Sequence, residues 1–180
     1  MRVFLAGVAT AIALAGAPAF AEVGAASPSS FQIQAAADVS ATPDRVWAAL
    51  GEIGRWWNDA HTYSGQASNM TMPLQAGACF CENWSELQSV EHGRVVLVME
   101  HEGVRTLRFI GGLGPLQETG VVGVMTWTVA AASEGSTLTM RYRANGDAAL
   151  GLEAMAPLVD QVLMEQFGRL VRYSETGAPA

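Results

Sequence analysis

Residues 152–173 read LEAMAPLVDQVLMEQFGRLVRY and carry apolar side chains at intervals of three and four positions. Such intervals place the apolar side chains on one wide face, which predicts an amphipathic α-helix of about five or six turns. Gly177 follows this segment and fits a C-terminal stop. The apolar face comprises Met155, Leu158, Val159, Val162, Leu163, Phe167, Leu170 and Val171. Because a helix of this kind must bury its apolar face, it needs a second apolar layer to pack on.

That second layer is indicated by a series of short runs with the composition of β-strands. In the last run, Leu138, Met140 and Tyr142 share one face, and threonine and arginine residues occupy the other. Glu134-Gly135 separates the last two runs and is typical of a hairpin turn. The predicted strands in this part of the chain cover residues 94–100, 104–110, 121–129 and 136–144.

A further strand and two short helices are predicted nearer the N-terminus. Residues 31–39 alternate as a strand does. Thr42 then fits a helix N-cap, with Pro43 in the first helical position. Gly51 and Gly54 interrupt the apolar stripe that follows, which favours two short helices over one longer helix.

The order of elements is therefore strand, two short helices, several strands and one long helix. Strands grouped together and helices set apart are typical of the α+β class rather than the α/β class. We expect an antiparallel sheet with the long C-terminal helix against its concave face. If the sheet curls, a cavity remains between the sheet and the helix.

The first residues, 1–21, have the pattern of a secretory signal peptide. Arg2 precedes an apolar run over residues 3–15, and Ala-Phe-Ala at residues 19–21 fits the small-x-small cleavage pattern. The predicted mature N-terminus is Glu22. The apolar run is too short for a comfortable bilayer span, so we expect a secreted, periplasmic protein with no stable membrane insertion after cleavage.

The remaining chain suits one domain over residues 31–176, preceded by a flexible lead-in over residues 22–30. The whole sequence has 10 basic and 17 acidic residues and a formal net charge of −7. Binding to nucleic acid or to anionic membranes depends on clustered positive charge, so this balance argues against both. The sequence indicates no particular protein partner.

The order of elements, together with ATPDRVWAAL at residues 41–50, resembles the START-like or SRPBCC superfamily, which includes polyketide cyclase/dehydrase-like proteins and relatives of the Hsp90 ATPase activator. The resemblance covers residues 31–176. It implies the helix-grip fold, in which a curved antiparallel sheet wraps around a C-terminal helix with an apolar pocket between them. It implies no catalytic residues. Shorter motifs resemble a secreted bacterial branch, namely HTYSG (61–65), GACFCE (77–82), GPLQ (114–117) and VDQVLMEQ (159–166).

Cys79 and Cys81 are the only cysteines and are separated by one residue. In a flat strand their Cα atoms would lie about 6.6–6.8 Å apart, at the limit for a disulfide, so a bond requires a bulge or bend. The alternatives are a local disulfide, favoured by an oxidising compartment, and two packed thiols. A redox centre is disfavoured because Glu82 adjoins the pair and no arginine is near in sequence. A metal site is disfavoured because no histidine has ligand-like spacing to the pair.

A large supply of aromatic and methionine side chains suggests the lining of an apolar pocket, although each could equally be core packing. The resemblance places a pocket entrance just after the short helices, which makes Trp56 and Trp57 the strongest candidates. The predicted ligand-binding residues are Trp56, Trp57, Phe80, Trp84, Met125 and Trp127.

Three polar residues, His61, Tyr63 and Glu82, are candidates for groups at the pocket rim or for proton transfer in an enzyme. The alternatives are a hydrogen-bonded loop for the first two residues and a solvated strand face for Glu82. Loop 111–117, which is rich in glycine, is predicted to be a mobile loop over the pocket. No motif for a cofactor or a metal ion is present.

Three functions follow, in order of preference. The first is a secreted or periplasmic protein that binds a small hydrophobic molecule such as a lipid, an isoprenoid or an aromatic metabolite. The second is a cyclase, dehydratase or lyase that uses the same pocket. The third is a protein-interaction or chaperone-like module, which secretion disfavours because the partner of the Hsp90 activator relatives is cytosolic.

Overall fold

The computed structural model describes residues 21–180, so the predicted signal peptide lies outside the described residues apart from Ala21. Within residues 21–180 the chain forms one eight-stranded antiparallel sheet in the order β1-β2-β8-β7-β6-β5-β4-β3, with three α-helices. The strands are β1 (Ala21–Val23), β2 (Ser30–Val39), β3 (Met70–Thr71), β4 (Cys79–Ser85), β5 (Gln88–His101), β6 (Val104–Ile110), β7 (Val122–Ala131) and β8 (Ser136–Asn145). The helices are α1 (Pro43–Gly51), α2 (Ile53–Trp56) and α3 (Leu152–Thr176). In this part of the chain no helix is both long and apolar enough to cross a membrane.

Strand alternation builds the inner face of the sheet as the sequence predicts. Leu138, Met140 and Tyr142 of β8 are buried, whereas Arg141 and Arg143 between them are exposed. Because successive strand residues point to opposite faces, one face of β8 is apolar and packs in the core. The α+β class and the antiparallel sheet with a long C-terminal helix are confirmed.

Two short helices follow β2, as predicted. The Thr42 Oγ1 atom accepts a hydrogen bond from the Arg45 backbone N–H at 3.3 Å, and Pro43 opens α1. This cap satisfies one of the amides that a helix N-terminus leaves unpaired. The chain turns at Glu52 between α1 and α2, so the interruption by Gly51 is confirmed.

Helix α3 spans 25 residues, about seven turns, and is longer than the predicted five or six turns. Gly177 ends it in the left-handed conformation at φ 80°, as predicted. The C-terminal part of the apolar face is buried in the core through Leu163, Phe167 and Leu170, whereas Met155 and Val159 pack against the core and are only partly buried. Toward the N-terminal end the face leaves the core, and Leu158 is 68% exposed. One helix therefore both closes the core and borders open space.

The segment predicted as a flexible lead-in is hydrogen-bonded to the body of the protein. The Gly24 N–H donates to the Gln32 carbonyl at 2.8 Å, and Pro28 accepts from the N–H of Leu152, the first residue of α3, at 2.9 Å. Backbone groups on β2 and α3 thus supply hydrogen-bond partners for this segment that the local sequence does not reveal.

Candidate functional site

A cavity of about 590 Å³ lies between the sheet and the N-terminal half of α3. Three further segments complete its wall: residues 57–63 after α2, strands β4 and β5, and the loop between β6 and β7. Its volume lies within the range of about 300–1,000 Å³ that is common for small-molecule sites. The lining residues are Trp57, Ala60, His61, Thr62, Tyr63, Phe80, His92, Leu113, Gly114, Pro115, Leu116, Glu118, Met155, Leu158, Val159, Val162 and Leu163.

Most of this wall is apolar, and two aromatic rings anchor it opposite α3. The rings of Trp57 and Phe80 meet edge to face with centroids 6.1 Å apart. The Trp57 indole N–H donates to the His61 carbonyl at 2.9 Å, which fixes the ring and satisfies its one polar atom. These contacts give the cavity a preformed flat surface.

The predicted ligand-binding residues separate into two groups. Trp57 and Phe80 line the cavity, whereas Trp56, Met125 and Trp127 are buried in the core and do not. The Trp127 ring stacks on Phe167 of α3 with centroids 6.2 Å apart, so α3 covers it. The Trp56 indole N–H turns back to the Ala49 carbonyl at 2.8 Å. The sixth predicted residue, Trp84, is half-buried and lies away from the cavity.

A buried pair, Glu82 and His92, forms the polar end of the cavity. Glu82 is fully buried and His92 is 6% exposed, and the His92 Nε2 atom lies 3.1 Å from Glu82 Oε2. The carboxylate also accepts from the backbone N–H of Tyr63 at 3.1 Å and from that of Ser64 at 2.5 Å. Glu82 thus holds both the imidazole and the segment that carries Tyr63.

Burial and hydrogen bonds shift the pKa values of Glu82 and His92 and so set their charges. Burial acts to raise the pKa of Glu82, but the hydrogen bonds from Ser64, Tyr63 and His92 outweigh it and lower the pKa below its ordinary value. Burial lowers the pKa of His92 below its ordinary value, although the Glu82 carboxylate opposes the shift. At neutral pH Glu82 is therefore an anion and His92 a neutral imidazole.

A second histidine–carboxylate pair stands at the more open side of the cavity. His61 lines the cavity, and its Nε2 atom lies 3.0 Å from Glu165 Oε2 on α3. The side-chain amide of Asn58 also donates to Glu165. The Asn58 amide, followed by the His61 ring, lowers the pKa of Glu165 against the opposing effect of partial burial. This pair links the segment after α2 to the helix.

Tyr63 and the loop between β6 and β7 meet at the cavity. The half-exposed Tyr63 hydroxyl donates to the Gly114 carbonyl at 3.3 Å, joining two segments that both line the cavity. Of the three predicted polar residues, His61 and Tyr63 line the cavity, and Glu82 does not line it but contacts His92, which does. Sequence reasoning missed His92 and Glu165 as parts of this arrangement.

The two cysteines lie on β4 on either side of Phe80. The structure joins them in a disulfide with their Cα atoms 5.2 Å apart. The register between β4 and β5 shifts here, since Phe80 pairs with Gly93 and Cys81 pairs with Glu91. The extra residue of this bulge is on β5, and it leaves His92 without a partner on β4. Within β4 the Cα separation of 5.2 Å is shorter than a flat strand allows, so the backbone between the cysteines is contracted as the bond requires.

The only candidate group of metal ligands within residues 21–180 is Cys79, Cys81 and Glu91. Because the two sulfur atoms are bonded to each other, neither is a free thiolate ligand.

No protein-family model matches the chain, and no curated protein matches it. Solved structures do match. DynU16, from the dynemicin biosynthetic locus, is 20% identical with a TM-score of 0.54 over 82% of this chain. This chain spans 48%, about half, of the length of DynU16. The protein jhp0584 of Helicobacter pylori is 14% identical with a TM-score of 0.57, covering 83% of this chain and 89% of its own.

Norcoclaurine synthase from Thalictrum flavum is 12% identical with a TM-score of 0.50, covering 79% of this chain and 91% of its own. DynU16 and norcoclaurine synthase are helix-grip folds of the polyketide cyclase or Bet v1-like kind. The chain has the helix-grip fold. At these identities the similarity establishes the fold and leaves the function to the site.

Proposed function

We propose that this protein binds a small, mainly apolar molecule in the cavity between the sheet and α3. The observation that carries the proposal is the apolar face of the N-terminal half of α3. Met155, Leu158, Val159 and Val162 continue the apolar face of the helix and line the cavity, and only Met155 and Val159 of these four also pack against the core. Covering such an exposed apolar surface with an apolar ligand removes it from water, which makes the free energy of binding more favourable.

The fold neighbours support a pocket-binding role. A structure of a norcoclaurine synthase point mutant in complex with a transition-state analogue shows that a protein of this fold holds a small ligand. In this chain the cavity walls are supplied by Trp57, Phe80 and Leu163, which are rigid, buried side chains. A preformed apolar wall lowers the entropic cost of binding.

The test uses the neutral dye N-phenyl-1-naphthylamine, whose fluorescence rises in apolar surroundings. The protein should bind it saturably. Val162→Trp places a large ring in the cavity and should weaken binding at least about tenfold, because the ligand and the new side chain compete for one volume. Gln161→Trp is the matched control, since Gln161 is exposed on the same helix and does not line the cavity. Equal binding by both variants would refute the site.

We also propose that binding takes place in a periplasm after removal of residues 1–21. The disulfide supports this location, because disulfides persist in oxidising compartments. Protein recovered from a periplasmic fraction should begin at Glu22 on N-terminal sequencing. Recovery of the uncleaved chain in the cytosol would contradict the proposal. Native mass spectrometry of the same sample should show a co-purified mass that is released on denaturation.

A second candidate function is proton-transfer catalysis in the same cavity, of the kind that a cyclase, dehydratase or lyase requires. The neutral imidazole of His92 backed by the ionised Glu82 is suited to act as a general base, because the carboxylate stabilises the imidazolium that forms. The probe 2-tetralone carries removable α-hydrogens. In D₂O the protein should speed their exchange for deuterium, and His92→Phe should abolish that effect. Exchange at the buffer rate would exclude this role for His92.

A further inference from the structure

The polar end of the cavity offers a ligand one accessible nitrogen atom on the His92 ring, namely Nδ1. Within residues 21–180, His92 is hydrogen-bonded through Nε2 alone, to Glu82. The ring lines the cavity and is held by Phe80, with centroids 4.8 Å apart, and by Tyr63, with centroids 5.8 Å apart. Nδ1 is therefore the polar atom that this fixed ring leaves for a bound molecule.

The identity of the Nε2 partner determines what Nδ1 can do. The Glu82 carboxylate can only accept hydrogen bonds, and two of its other partners are backbone N–H groups. Nε2 must therefore carry the proton and donate it toward Glu82. In a neutral imidazole the remaining nitrogen is then an acceptor. A ligand that meets His92 is favoured if it presents a hydrogen-bond donor.

The charges around the cavity restrict that donor further. No arginine lies among the cavity-lining residues of the described chain, and the one acidic residue among them, Glu118, is exposed to solvent. An anionic head group at His92 would therefore be buried beside the Glu82 carboxylate with no arginine to pair with. A cationic head group would lose its hydration, while the buried carboxylate of Glu82 is already engaged by three donors. A neutral donor avoids both costs.

We infer that the cavity is selective for a neutral, mainly apolar molecule that carries a hydroxyl group at one end, with that hydroxyl donating to Nδ1 of His92. Phenols and apolar alcohols have this chemistry, and fatty acids do not. The inference rests on the proposed binding function and names the class of ligand for the same cavity.

The test compares probes that share one apolar body. Dissociation constants for 2-naphthol, 2-methoxynaphthalene and 2-naphthoate are measured by calorimetry or by competition with the dye. The naphthol should bind about three- to tenfold more tightly than the methyl ether, which corresponds to one net hydrogen bond. The naphthoate anion should bind more weakly than either neutral probe.

The variant His92→Phe removes Nδ1 but keeps an aromatic ring against Phe80 and Tyr63. The preference for the naphthol over the ether should fall by the same three- to tenfold. His101→Phe is the matched control, because it makes the same change at an exposed imidazole on β5 that does not line the cavity, and it should leave the preference unaltered.

The possible outcomes separate the two proposals. A preference that is unchanged in His92→Phe, or naphthoate as the tightest probe, overturns the inference and leaves the binding function standing. Failure of all three probes to bind overturns both.

A measurement on the unaltered protein does not depend on how the variant folds. Nitrogen-15 spectra of the His92 ring should show a protonated Nε2, and adding 2-naphthol should shift the Nδ1 resonance. A protonated Nδ1, or no shift on saturation, overturns the inference.

Discussion

Replacing Tyr142 should change both the free energy of unfolding and the loop between β6 and β7 that lines the cavity. Its side chain is fully buried, and its hydroxyl donates to the Gly111 carbonyl at 3.2 Å and accepts from the Leu113 N–H at 3.3 Å. Both partners lie at the start of the loop that lines the cavity. Tyr142→Phe removes two neutral hydrogen bonds and leaves two backbone groups unpaired. We expect the free energy of unfolding at pH 7 to fall by about 1–2 kcal/mol.

The same residue predicts an alkaline pH dependence. Burial, opposed by the Leu113 N–H, raises the pKa of Tyr142 to about 12 from an ordinary value of 10.0. Between these values the unfolded chain loses the proton and the folded chain keeps it, so the free energy of unfolding falls as pH rises. The loss should reach about 1.4 kcal/mol at pH 11, or one pKa unit. Tyr142→Phe has no phenol to titrate at this position and so escapes this loss. The stability of the wild type should therefore fall toward that of the variant near pH 11.

The assay is urea unfolding of both proteins at pH 7, 9 and 11, which cancels the titration of every other group. A stability difference that stays constant from pH 7 to pH 11 would refute the reasoning. Binding of N-phenyl-1-naphthylamine should also weaken in Tyr142→Phe, because Gly111 and Leu113 hold the cavity loop. Tyr173→Phe is the control for binding, since that hydroxyl donates to Glu52 away from the cavity.

Three further predictions concern the bulge and the sheet. Because the folded pKa of His92 is lowered, the free energy of unfolding should fall as pH drops from about 6.5, and again below about 4.5 as Glu82 is protonated; flat stability from pH 7.5 to 4 would contradict this. Gly123→Ala should lower the melting temperature by several degrees, because its Cβ would lie 2.2 Å from the tyrosine hydroxyl discussed above and 2.3 Å from a backbone oxygen. Replacing both Cys79 and Cys81 by Ser should cost only about 1–2 kcal/mol in urea unfolding, since the closed loop is very short; loss of folding would show a larger structural role.

The fold could be predicted from local pattern because period and burial are linked along the chain. A two-residue period in β8 and a three-to-four-residue period in α3 specify which faces are apolar, and apolar faces must meet. The caps at Thr42 and Gly177 act within a few residues, so they too can be read locally.

The candidate site could be predicted only in part. His61 and Tyr63 lie in one short segment, and the resemblance placed the pocket nearby. The aromatic supply did not reveal which rings face the cavity, because Trp56 and Trp57 are adjacent and only Trp57 lines it. Trp57 faces a cavity whose opposite wall is the N-terminal half of α3, a helix distant in sequence, so the local sequence does not distinguish the two rings.

The sequence by itself determined the α+β class, the two short helices, the apolar stripe of α3 and the polar residues of segment 61–65. The tertiary structure alone decided that His92 meets Glu82, since a register shift between β4 and β5 turns the imidazole inward. It alone decided that the N-terminal half of α3 borders a cavity. Periodicity is a property of neighbouring residues, whereas a bulge and a cavity arise from how separate elements fit together in space.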